Sequence, residues 1–97
     1  MTIVKINALM SGNSYPEAGV KLYNLIKGLL EQDEHIILDM DGVESFPTLF
    51  MNTSFGSLLD DFGLDAIKKK LKFRNIKKSH VERIRKYFAD YASLSSK

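Results

Sequence analysis

His35-Ile36-Ile37-Leu38-Asp39-Met40 (HIILDM, residues 35–40) is a short, nearly unbroken apolar run that stops at Asp41-Gly42. A strand covered on both faces reads as such a run, whereas a strand with one wet face alternates. The run therefore predicts a buried strand, with Asp41-Gly42 as the turn that ends it. Upstream, residues 2–9 (TIVKINAL) alternate, with one side apolar and the other mixed, as in a first strand near a sheet edge. Ser11-Gly12-Asn13 breaks that run. Ser14, Pro16 and Glu17 together open a helix: the serine caps it, the proline suits the first turn, and the glutamate closes a capping box. This helix is expected to reach about Leu30 and to bury Val20, Tyr23, Ile26, Leu29 and Leu30.

Downstream, Pro47 interrupts residues 43–53 (VESFPTLFMNT) and bars a regular helix or central strand across them. A helix over about 54–62 is predicted, capped by Thr53 or Ser54, striped by Phe55, Leu58, Leu59 and Phe62, and stopped by Gly63. One more helical turn at 65–70 is capped by Asp65. Residues 71–76 (LKFRNI) read as a strand with one polar face, and Ser79 with Glu82 opens a last helix to about Tyr91. Its stripe is Val81, Ile84, Tyr87, Phe88 and Tyr91. The order β-α-β-α-β-α gives an α/β fold: a small, mostly parallel or mixed sheet with crossover helices. One domain over 1–92 is expected, with 93–97 as a frayed tail.

Composition narrows the function classes. A chain of 97 residues with 44% hydrophobic and 27% charged residues is one ordinary globular domain. The absence of cysteine excludes disulfides, thiolate metal sites and thiol nucleophiles, and fits a reducing cytoplasm. No stretch approaches the ~20 apolar residues of a membrane span, and the start lacks the pattern of a signal peptide. Charge is lopsided: residues 1–50 hold 3 Lys/Arg and 7 Asp/Glu, and residues 51–97 hold 11 and 5. The basic excess runs from Lys68 through Lys69, Lys70, Lys72, Arg74, Lys77, Lys78, Arg83 and Arg85 to Lys86. Such a cluster suits an acidic partner or a phosphate backbone, with Lys68, Lys69, Lys70, Lys72 and Arg74 as the contacts. A nucleic-acid-binding module on the 68–86 face is thus one reading, although no recognition-helix context accompanies it.

Chemistry has few footholds. LDMDGV at 38–43 places Asp39 and Asp41 after a buried strand, resembling the first motif of haloacid-dehalogenase-type phosphohydrolases. That resemblance implies Mg²⁺-dependent phosphoryl transfer at Asp39 with Asp41 as general acid. The chain is too short for the rest of that core, and the simpler reading is a strand end and a turn. His35 leads into the strand and His80 is expected on an exposed first turn; neither has a partner at metal-ligand spacing. No glycine-rich phosphate loop is present. No cofactor, no metal and no enzymatic activity are expected.

A second pattern covers roughly residues 35–88. The strand Leu38-Asp39-Met40, then Asp41-Gly42-Val43, a Ser-Phe helix start in TSFGSLLDDFG (53–63), Gly63, the Lys68–Lys70 turn and the strand ending at Arg74-Asn75 resemble a STAS-type domain. They are similar especially to the STAS-like family of unknown function of small bacterial proteins. The resemblance implies a non-enzymatic regulatory domain in signalling that acts by protein–protein interaction. In anti-sigma-factor antagonists of this fold a serine at the helix start is phosphorylated, which maps onto Ser54, with Gly56 matching a following glycine. The implied partner is an ATP-binding, histidine-kinase-like regulator. The surface expected to meet it is Phe46, Leu49, Phe50, Met51, Thr53 and Ser54.

Overall fold

In the computed structural model, which describes residues 1–95, three short strands lie parallel in the order β1-β2-β3. β1 is Thr2–Lys5, β2 Ile36–Asp39 and β3 Leu71–Arg74. The helices are α1 (Ile6–Met10), α2 (Tyr15–Glu31), α3 (Thr48–Met51), α4 (Ser57–Phe62), α5 (Leu64–Lys70) and α6 (Lys78–Ser95), with a π-helical turn at Asn52–Gly56 joining α3 to α4. The expected α/β class and strand–helix alternation hold, and the sheet is wholly parallel. The first strand stops at Lys5, not residue 9, because Ile6–Met10 wind into a helix that carries Ile6 into the core. β3 likewise ends at Arg74, where Asn75 turns with φ 55°.

Register sorts the sheet into two unlike faces. Val4, Leu38 and Phe73 stand abreast, as do Ile36 and Leu71, and all face the helices. Ile3, Ile37 and Lys72 form the next row, and Lys5, Asp39 and Arg74 the last, on the opposite face. Right-handed crossovers in a 1-2-3 order put both connections on one side, and α2 packs there against α3, the π turn and α4. β2 is therefore interior to the sheet yet covered on one face only, which corrects the expectation of burial on both.

The helical layer follows from a few residues. Ser14 caps α2, its hydroxyl accepting the Glu17 N–H at 3.3 Å. The buried stripe is Ala18, Leu22 and Ile26 with Gly19 beside it, while Val20 is 47% exposed, a one-residue shift from the expected stripe. Pro47 opens a helix instead of blocking one: it sits at the cap position of α3, where its missing N–H costs nothing, and its carbonyl accepts from Phe50 and Met51. Helix thus begins at Thr48, six residues before the expected start at 54. Asp65 lies within α5, not at its cap, which is Gly63.

Ser79 does not cap α6, because the helix starts one residue earlier and the Lys77 carbonyl accepts from His80 and Val81. Ser93–Ser95 continue α6, and residues 96–97 of the expected tail lie outside the described residues. Phe55 knits the layers together, with ring centroids 6.1 Å from Phe46, 6.0 Å from Phe73 and 6.1 Å from Phe88.

Candidate functional site

At the carboxyl end of the sheet, Asp39 is 6% exposed and fully engaged. Its Oδ1 accepts from the Asn75 side chain at 3.0 Å and from the Asp41 backbone N–H at 3.0 Å, and its Oδ2 accepts from Arg74 Nη2 at 3.1 Å. The Asn75 hydrogen bond, the Asp41 N–H and the Arg74 guanidinium hold the carboxyl at about 2, well below the usual carboxylate range. Asp41 is exposed in the turn that follows. Asp39 thus ties β2 to β3 and to its own turn. Both of its oxygens are occupied at this junction. No group of three or more His, Cys, Asp or Glu side chains is placed to hold a metal among the described residues.

The segment expected to meet a partner is largely inside the protein. Phe46 is 4% exposed, Phe50 0%, Met51 2% and Ser54 0%, and Thr53 is half-buried; Leu49, at 59%, is the one open residue of the six. The apolar crowding around Pro47 is docked into the core because α3 and the π turn pack on α2. Ser54 is not at a helix start. Its hydroxyl donates to the Phe50 carbonyl at 2.7 Å, and Thr53 Oγ1 donates to the carbonyls of Leu49 at 3.1 Å and Phe50 at 3.3 Å. Hydroxyls bonding back across one turn suit a π segment, whose wider hydrogen-bond pattern leaves carbonyls to satisfy. The dipole argument for a phosphate at Ser54 therefore has no helix end to act on. Gly56, the other residue of that motif, packs against Tyr87, which donates to Asn52 Oδ1 at 2.8 Å.

His80, expected on the surface, is 7% exposed against the Phe46 ring at 5.6 Å, and its Nδ1 has no hydrogen-bond partner among the described residues. Its position was hidden because a first-turn histidine is buried only if the 46–50 segment folds over it.

The basic run divides as well. Lys70 pairs with Asp33 at 2.6 Å, Arg74 with Asp39, Lys77 with Glu44 at 2.7 Å and Lys86 with Asp90 at 3.1 Å. Lys68, Lys72, Lys78, Arg83 and Arg85 make no ion pair with an acidic side chain among the described residues, and Lys69 acts on Asp33 at longer range. They are spread over α5, β3 and α6, and two of them, Lys68 and Arg85, line one groove beside β3.

The open surface lies elsewhere. Ile3 is 45% exposed beside half-buried Ile37 on the uncovered face of the sheet, flanked by Lys5, Lys72 and Arg74. All-parallel sheets are ordinarily covered on both faces, so a bare one is an unsatisfied feature of this architecture. Among the described residues, neither β1 nor β3 has a strand beyond it.

Fold and surface together define a small, wholly parallel α/β domain with its helices packed on one face of the sheet. The chain belongs to the STAS-like domain of unknown function family (DUF4325), whose model matches residues 18–81. The match starts inside α2, so β1 and α1 lie outside it. Comparison with curated proteins and with solved structures found no match. No helix among the described residues is long and apolar enough to cross a membrane.

Proposed function

We propose that this STAS-like domain is a non-enzymatic regulatory module of the cytoplasm that acts by binding another protein through the uncovered side of its sheet. The observation that carries this reading is the Ile3–Ile37 pair, side by side in register on a parallel sheet face with no helix over it among the described residues. Burying such a pair against a partner recovers about 25 cal/mol for each Å² of apolar surface removed from water. The flanking cations Lys5 and Lys72 favour a partner of acidic character at the rim. A kinase-like regulator of the type implied by the family resemblance is one such partner. Modification of Ser54 is outside this proposal, because its hydroxyl is buried and already bonded.

The test is parallel capture from the native host with the wild-type chain and with Ile3→Glu, a change at an exposed position. A protein retained by the wild type and lost with the folded variant supports the reading. Recovery of the same proteins by both, or of nucleic acid alone in a salt-sensitive manner, overturns it.

A further inference from the structure

The open edge of β3 has a definite chemical pattern. The Met40 N–H donates to the Arg74 carbonyl at 3.0 Å, and Asp39 stands in register with Arg74, which fixes the phase of the β2–β3 ladder. Alternate residues of a parallel strand direct both amide groups to the same neighbour. Lys72 and Arg74 therefore bond toward β2, and the N–H and carbonyl of Phe73 point along the free edge. The Leu71 N–H is used to close α5, bonding to the Ile67 carbonyl.

Beside this edge lies a groove of about 370 Å³, lined mainly by apolar side chains including Phe73, Ile76, Leu64 and Val81. Two cations line it too, Lys68 from α5 and Arg85 from α6, and neither has an acidic partner among the described residues. On the other face of the same strand, Lys72 is exposed and likewise without one. The edge thus offers a backbone donor and acceptor, an apolar trough on one side and unpaired positive charge on both.

We propose that the β3 edge and this groove receive an extended partner segment of alternating apolar and acidic residues, added to the sheet as an antiparallel fourth strand whose central residue exchanges both backbone hydrogen bonds with Phe73. This rests on the reading of the domain as a protein-binding module and names the chemistry of one partner element. A residue opposite Phe73 sends its side chain to the groove side, where an apolar group fits. Its two neighbours project to the outer face, one directly opposite Lys72 and the other opposite Arg74.

The probes are the peptides acetyl-Val-Glu-Val-Glu-Val-amide, its lysine counterpart, and an acidic version N-methylated at the central valine. Each is titrated into the full ¹⁵N-labelled chain. The expected result is amide shifts at Phe73, Ile76 and Val81, slowed exchange of the Phe73 N–H, and affinity for the acidic peptide about tenfold above that of the lysine peptide. N-methylation costs about tenfold by removing a strand donor, and Lys72→Glu, at an exposed position on the face that receives the carboxylates, does the same.

Equal binding of the lysine or N-methylated peptide, or shifts confined to surfaces away from β3, overturns the proposal. If no peptide binds while Ile3→Glu still abolishes capture of a host protein, the strand proposal falls and the interaction reading stands. If that capture is also unaffected, both fall.

Discussion

Gly19 of α2 stands so close to Thr53 in the π turn that a Cβ on the glycine would lie 1.8 Å from the threonine Oγ1 and 2.7 Å from the Phe50 carbonyl oxygen. This contact sets how near α2 approaches the helical run that follows Pro47. The same run meets α6 through a second glycine, Gly56, where a Cβ would lie 2.7 Å from the Tyr87 hydroxyl. The π turn is therefore held between two helices at positions that lack a side chain.

Gly19→Ala is expected to destabilise the protein by about 2 kcal/mol, because overpacking against backbone outweighs the roughly 1 kcal/mol gained in helix propensity. Adding Thr53→Ala removes the nearest clash and recovers part of the loss. Gly56→Ala should cost less, since the obstructing Tyr87 hydroxyl is the end of a side chain that can swing away from Asn52. Urea midpoints at constant m-value measure all three. Equal losses at the two glycines would contradict the close packing described here.

Ser54→Ala should lower stability by about 1 kcal/mol, the value of one buried hydrogen bond to Phe50. Ser54→Asp, which places a charge in a fully buried site, should lose more than about 3 kcal/mol or fail to fold. Circular dichroism melts of the two variants report the difference. An aspartate variant as stable as wild type would mean that this residue reaches solvent.

Asp39 links stability to acid. Its carboxyl titrates at about 2 in the fold, below the roughly 3.9 of an unfolded aspartate. The stabilisation it provides is therefore complete above the unfolded value and is lost as pH falls through the folded one. Asp39→Asn should be less stable than wild type at neutral pH, and the gap should narrow as pH falls from about 5 to about 2. Melting temperatures across that range test it; a gap that is constant with pH would show that Arg74 and Asn75 do not hold the charge.

His80 buries an acceptor or donor without a partner, which costs about 1–3 kcal/mol. His80→Leu keeps the contact with Phe46 and removes that cost, so a gain of about 1 kcal/mol is expected. A loss of similar size by chemical denaturation would assign the imidazole a polar contact.

Much of the architecture was legible in local chemistry. Ser14, Pro16 and Glu17 mark the start of α2 because capping is satisfied within four residues, and HIILDM marks β2 because its flanking turn residues bound an apolar run of strand length. The alternation of strands and helices then allows few parallel arrangements. Legibility failed where one residue type serves two geometries. Ser54 and Thr53 cap helices in many sequences; here they bond back to Leu49 and Phe50 inside one, which only the continuation of helix from Thr48 makes possible.

The sequence by itself determined the alternation of strands and helices, a mostly parallel or mixed sheet and the apolar identity of much of the core, since these depend on periodicity and on residues near in the chain. The tertiary structure alone decided that Ile37 faces an uncovered side, that Phe50 and Ser54 are inside, and that Phe73 borders both a free edge and a groove. An apolar side chain reads the same whether a helix covers it or water does. Which of the two it meets is set by contacts between segments far apart in sequence.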